Sequence, residues 1–173
     1  CHGVHWHETF PALMKTLGPL IRTTFVIVVL DQLTKLLVVH VMALKDLAVI
    51  PVYHPYLMFR MAWNEGINFG IPLANKWGLI ALAGVICLWI IVWMVRDRPG
   101  RWAQISAGLV VGGAIGNVID RLAYGAVADF LNMSCCGWEN PWSFNVADIA
   151  IFLGAVGLIF LTPTKQRAAD EAD

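Results

Sequence analysis

The feature that most limits what this chain can fold into is a run of 19 residues without a charge, Trp77 to Val95 (WGLIALAGVICLWIIVWMV). At about 1.5 Å per residue, a helix of that length crosses the roughly 30 Å hydrocarbon layer of a bilayer. The composition agrees, with 58% hydrophobic and 14% charged residues, where soluble domains carry about 25% charged. The chain reads as an integral membrane protein. Its 12 basic residues balance its 12 acidic ones, so no net field draws it to nucleic acid.

Three more stretches are expected to cross. One starts at Trp102 and has Asp120 and Arg121 at its end, a span of about 102–121; another covers about 145–162. The first, about 20–41, is long enough but carries Asp31, Gln32, Lys35 and His40. Arg96, Arg98 and Arg101 crowd the connection after the Trp77–Val95 run, and Lys165 and Arg167 follow the last span. Basic short loops stay in the cytoplasm, so both termini are expected there, including the polar tail 163–173. The connections of about 42–76 and 122–144 then face outward, and hold the interface-seeking aromatics Tyr53, Tyr56, Trp63, Trp138 and Trp142. Short apolar runs broken by Pro and Gly in 42–76 suggest strands or an interfacial sheet. The expected fold is one membrane domain, polytopic and helical.

Elsewhere the sequence offers less. His2, His5, His7 and Glu8 lie close together, but not as HExxH, and read as a tail. No small-residue cleavage site follows the first apolar stretch, which is expected to remain as an anchor. Cys1, Cys87, Cys135 and Cys136 show neither CxxC nor zinc-ligand spacing, and the neighbours Cys135 and Cys136 can bond only with strain. No metal and no other cofactor is expected.

An ionisable group at mid-span costs about 2.5–3.5 kcal/mol, so each one here needs a partner or a task. Asp31 and Lys35 share a helical face, acid first, which fits either a structural ion pair or support for a site. Gly108, Gly112 and Gly116 recur every fourth residue, a stripe that admits a packed helix or a docked substrate helix. Asn117, Asp120 and Arg121 follow, and a salt bridge where the helix leaves the bilayer accounts for the last two. Asp129 in GAVADFL and Asp148 in FNVADIA both fall at the outer membrane edge. Two carboxylates sharing a site hold one proton between them, the working state of aspartic proteases. The same pair also reads as interfacial charges or an ion path.

The segments DQLTK (Asp31 to Lys35), NEGINFG (Asn64 to Gly70), GGAIGNVIDRLAYGAVADF (Gly112 to Phe130) and FNVADIAI (Phe144 to Ile151) resemble, in order, the sequence boxes of lipoprotein signal peptidase, or signal peptidase II. The resemblance covers about residues 20–162. It implies four transmembrane helices with a small outward β-cradle and an interfacial helix. It also implies an inner-membrane endopeptidase that cuts a prolipoprotein just before its diacylglyceryl-modified cysteine. On that likeness Asp129 and Asp148 are the catalytic dyad. Asp31, Lys35, Asn64, Gly66, Asn117, Asp120, Arg121 and Asn145 match positions that bind substrate or support the site. The expected partners are a diacylated prolipoprotein and membrane lipid. Within the dyad, Asp148 in the first turn of a helix suits the ionised base, and Asp129 among apolar neighbours suits the acid. A proton-coupled carrier relaying ions through Asp31, Lys35 and Asp148 is the alternative, although no internal repeat supports it. A non-catalytic scaffold leaves the two carboxylates without a purpose.

Overall fold

The computed structural model describes residues 17–66, 75–135, 138 and 140–161. The histidine-bearing segment at the start, the tail after Leu161 and Cys136 lie outside these residues. Helix α1 (Gly18–Lys35) runs on into a π-helical stretch, Leu36–Val41, and is followed by the single turn α2 (Leu44–Leu47). Strands β1 (Val49–Tyr53) and β2 (Leu57–Asn64) precede the long helices α3 (Lys76–Asp97) and α4 (Arg101–Tyr124). Strand β3 (Val127–Met133) and helix α5 (Val146–Leu161) complete the described chain. Three helical stretches, Gly18–Val41, α3 and α4, are long and apolar enough to cross a membrane. Helix α5 is apolar but has 16 residues as far as it is described.

Local chemistry sets the ends. Asn75 caps α3 by accepting the Gly78 N–H at 2.8 Å, satisfying one of the orphan donors of the first turn. Gly125, at φ 84°, ends α4 in the left-handed conformation that glycine adopts without a Cβ penalty. Helix α4 thus continues to Tyr124, and Asp120 and Arg121 lie inside it, one turn before its end.

Helix α4 is the centre of the bundle. A Cβ on Gly108 would lie 2.7 Å from the Leu20 carbonyl oxygen of α1, and one on Gly112 2.9 Å from that of Thr24. The Gly108–Gly112–Gly116 stripe therefore serves helix packing, letting α1 lie against α4 with backbones almost touching. On another face, a Cβ on Gly113 would run into the carbonyl of Ala147 in α5, and one on Gly154 would stand 2.6 Å from the Ser106 carbonyl oxygen. Helix α3 joins through a cluster of Ile90 and Met94 with Leu17, Leu20, Ala107, Val110 and Val111. Its remaining faces present Leu82, Val85, Leu88, Trp89 and Val92 outward, a surface suited to lipid.

The three strands form one antiparallel sheet in the order β1-β2-β3. Its third strand comes from the connection after α4, so the sheet draws on both non-helical connections. Val38, Val39, Leu44, Ala128 and Phe130 make a second core beneath it, with Phe59 edge-on to Phe130 at 5.8 Å between centroids. Of the interfacial helix implied for 42–76, the described residues hold the single turn α2. Cys87 is a free thiol, whereas Cys135 is disulfide-bonded.

Candidate active site

The last connection is folded back on β3 before α5 begins. Phe144 exchanges backbone hydrogen bonds with Leu131, at 3.0 and 2.8 Å, which brings Asn145 beside Asp129 two residues earlier on the strand. Asn145 then caps α5. Its Oδ1 accepts the Asp148 N–H at 2.9 Å, while Asp148 Oδ2 accepts the Asn145 N–H at 3.2 Å. This reciprocal box satisfies two backbone donors and aims the Asp148 carboxylate back at the start of the helix. The Asn145 side-chain amide also donates to Asp129 Oδ1, at 2.6 Å. One residue thus links the two acids.

The other two oxygens are held by asparagines from two further elements. Asn64, on β2 and diagonal to Asp129 across the ladder, donates to Asp129 Oδ2 at 3.1 Å. Asn117 of α4 donates to Asp148 Oδ1 at 2.9 Å, and its own Oδ1 accepts from Asn145 at 3.3 Å. Gly66, at φ 107°, turns its N–H onto Asn64 Oδ1 at 3.1 Å and so orients that amide. All four carboxylate oxygens have a donor. Asp129 is 3% exposed, and burial, reinforced by the charge of Asp148, raises its carboxyl to about 6 against the hydrogen bonds from Asn64 and Asn145. Asp148 is half-buried at the other side of the same group.

Asp31, Lys35 and Asp120 form a separate buried cluster. Lys35 Nζ lies 2.7 Å from Asp31 Oδ2 and 2.8 Å from Asp120 Oδ2. The expected salt bridge between Asp120 and Arg121 is not made, because adjacent helical residues point to different faces and Lys35 occupies the Asp120 side. Arg121 lies instead in the field of Asp148, Asp129 and Asp120, donating from Nη1 to the Asn117 carbonyl at 3.3 Å. Its buried Nε has no hydrogen-bond partner among the described residues.

Two residues were not assigned to the site from sequence. Gln32 bridges Asp31 Oδ2 and Asp120 Oδ1 from one amide nitrogen, 3.1 Å from each. Buried Asn132 holds the last connection through the carbonyls of Asn140 and Trp142, at 2.8 and 2.9 Å. Gln32 was visible as an uncompensated amide within a span; nothing local singled out Asn132.

Two cavities adjoin these groups. One, of about 190 Å³, runs between α3, α4 and α5 and is lined by Asn117 and Arg121 together with Leu82, Ile86, Val110 and Ile151. The other, of about 710 Å³, lies between α1, the end of α4 and the sheet, lined by Leu33, Leu36, Val39, Trp63 and Tyr124, with Lys35 and Asp120 also on its wall.

The family described as Signal peptidase (SPase) II matches residues 23–163. The chain is 35% identical over 158 residues to the lipoprotein signal peptidase of Methylobacterium sp. (strain 4-46), covering 88% of this chain and 93% of that one. It is 42% identical over 112 residues to that of Methylorubrum extorquens (strain PA1), covering 61% and 63%. Two solved bacterial membrane enzymes, determined by the in meso method at 1.9 and 2.3 Å, share its fold with TM-scores of 0.72 and 0.69 at 26% identity. These alignments cover 85% and 82% of this chain and 95% and 85% of theirs.

Proposed function

The chain belongs to the signal peptidase II family, and from that premise and the paired carboxylates we propose an aspartyl endopeptidase that cuts prolipoproteins just before the diacylglyceryl-modified cysteine. A multi-pass membrane peptidase acting on lipoprotein signal peptides follows from the family itself. The catalytic device is the further step. The observation that carries it is Asn145, which binds Asp129 through its side chain and Asp148 through its backbone, so that two acids from different elements share one site.

In this reading Asp148 is the base. Its carboxylate sits at the N-terminus of α5, where unpaired N–H groups favour negative charge, and it takes a proton from water as the oxygen attacks the scissile carbonyl. Asp129, whose proton is retained to about pH 6, gives that proton to the carbonyl oxygen, forming a neutral tetrahedral diol. Asp148 then delivers its proton to the leaving nitrogen while Asp129 recovers one from the collapsing diol. Water is consumed, and no covalent enzyme intermediate forms. Arg121 lines the smaller cavity, and its guanidinium, whose Nε has no partner among the described residues, is suited to a substrate backbone carbonyl.

Helices α1, α3, α4 and α5 are then four spans of a single domain, with both termini in the cytoplasm of a bacterium and the site at the outer face of its inner membrane. The basic group Arg96, Arg98 and Arg101, at the end of the bundle away from Asp129, supports that orientation. The test is direct. Purified protein is given a diacylated prolipoprotein and release of the signal peptide is followed on a gel, beside Asp129→Asn and Asp148→Asn samples. Both variants should bind the precursor and lose at least about a thousandfold in cleavage, and near-normal turnover by either removes the dyad from these residues.

A further inference from the structure

We propose that Lys35 is a positioning residue that sets the spacing of the two dyad aspartates, acting through Asp31 and Asp120; this rests on the reading of Asp129 and Asp148 as the dyad. Each carboxylate of the Lys35 cluster also holds a backbone N–H. Asp31 Oδ1 accepts that of Ala147 at 3.0 Å, and Asp120 Oδ2 that of Ala128 at 3.0 Å. Ala147 and Ala128 are the residues immediately before Asp148 and Asp129. A peptide unit is planar, so fixing each N–H fixes the plane that ends at the alanine Cα, one residue short of the aspartate. A single ammonium therefore ties together the two backbone segments that carry the dyad, with contacts of 2.7 and 2.8 Å on its own side.

The construction is stiff. Asp31 is 0% exposed, Lys35 6% and Asp120 1%, and Gln32 closes the ring by donating to both carboxylates. Gly116 leaves the room: a Cβ there would stand 2.6 Å from Asp31 Oδ2. Three buried charges are an expensive way to satisfy two amide donors, since neutral acceptors would do so without removing ions from water. What the charges add is short, strong contacts of fixed length. A cluster serving only to hold α1 against α4 has no need to reach the residue preceding each dyad aspartate.

The experiment uses the full chain and a diacylated prolipoprotein, with kcat expressed per precursor-binding site so that loss of folded protein is divided out. Lys35→Met should lower kcat about a hundredfold, the effect of a misplacement near 1 Å, while KM stays within about threefold. Lys35→Arg, which keeps the charge, should recover part of that loss. Should Lys35→Met no longer bind precursor, Asp31→Asn decides, because it keeps an acceptor for Ala147 while replacing the oxygen that accepts from Lys35 and Gln32 by an amide NH2, so that the tie to Lys35 is cut; about a tenfold fall in kcat at constant KM is expected. Wild-type kcat in the folded Lys35→Met protein, or in Asp31→Asn where that variant decides, overturns the proposal, as does a loss confined to KM. Asp129→Asn and Asp148→Asn run alongside. If they are inactive while the Lys35 cluster variants turn over normally, only the positioning role fails; if they turn over, the dyad reading fails and takes this proposal with it.

Discussion

A carboxyl buried beside a second carboxylate binds its proton more tightly than one in water, and Asp129 does so to about pH 6. Its folded value lies above that of the unfolded chain, so the stability that its proton contributes is complete below about 3.8 and lost as pH rises through about 6. Activity follows the same sign. If the proposed dyad works with one shared proton, kcat/KM should fall as pH rises through its apparent value, which belongs to both groups together. Asn64 and Asn145 oppose the shift by donating to the ionised form, so Asn64→Leu should move the alkaline limb to higher pH. It should also reduce kcat about tenfold, as loss of a hydrogen bond to a charged group worth about 1.5 kcal/mol predicts. A pH profile with its alkaline limb unmoved in Asn64→Leu would show that this amide does not touch the titrating acid. The apolar setting of Asp129 was legible in GAVADFL because Ala, Val and Phe surround it in the chain. The resemblance named Asn64 and Asn117 as site residues, but not which acid each one holds, since they meet the acids only across long separations in sequence.

The helices divide into faces that the apolar pattern alone does not separate. A membrane span is hydrophobic all round, so the sequence shows where α3 and α4 lie but not which side of each meets protein. Glycine spacing carries that information. Gly116 is filled by Asp31 and Gly113 by Ala147, whereas a Cβ on Gly84 meets nothing within 4 Å. Gly116→Ala and Gly113→Ala should therefore each destabilise the detergent-solubilised protein by about 1–3 kcal/mol. Gly84→Ala, on an open face of α3, should be neutral or stabilising by up to about 1 kcal/mol. Thermal unfolding of the three variants checks this, and equal midpoints would contradict the close approach of α1 and α5 to α4. The run in 42–76 that reads as strands from its turn residues is indeed strand in β1 and β2. Strand β3 was missed because VADFLNM is buried nearly throughout and lacks the alternation that marks a half-exposed strand.

At the scale of the whole molecule, the site stands where an apolar bundle meets a small sheet, and its proposed substrate is anchored in the same place. Acyl chains contribute about 0.8 kcal/mol per buried CH₂, so the diacylglyceryl group should act as a handle. An unmodified precursor should be cut much more slowly than the diacylated one under identical conditions, and equal rates would show that lipid is not read. A reporter joined after residue 173 should be active only in the cytoplasm, and one inserted near residue 72 only outside; the reverse pattern would turn the dyad away from its substrate. The mostly helical character was legible from composition and long apolar runs, and the family from the ordered boxes. The Lys35 cluster was half legible: the spacing of Asp31 and Lys35 announced a pair, while the third member, Asp120, comes from α4. Finally, the pairing of Asn64 with Val127 bears on how the protein is made. Two helices separate β2 from β3 in the chain, so the β2 edge that β3 covers stays open until both have been made. With the dyad proposed above, Asp148 arrives only with α5, so chains halted before it should be inert, and those halted before β3 should carry an open strand edge for quality-control proteases to seize.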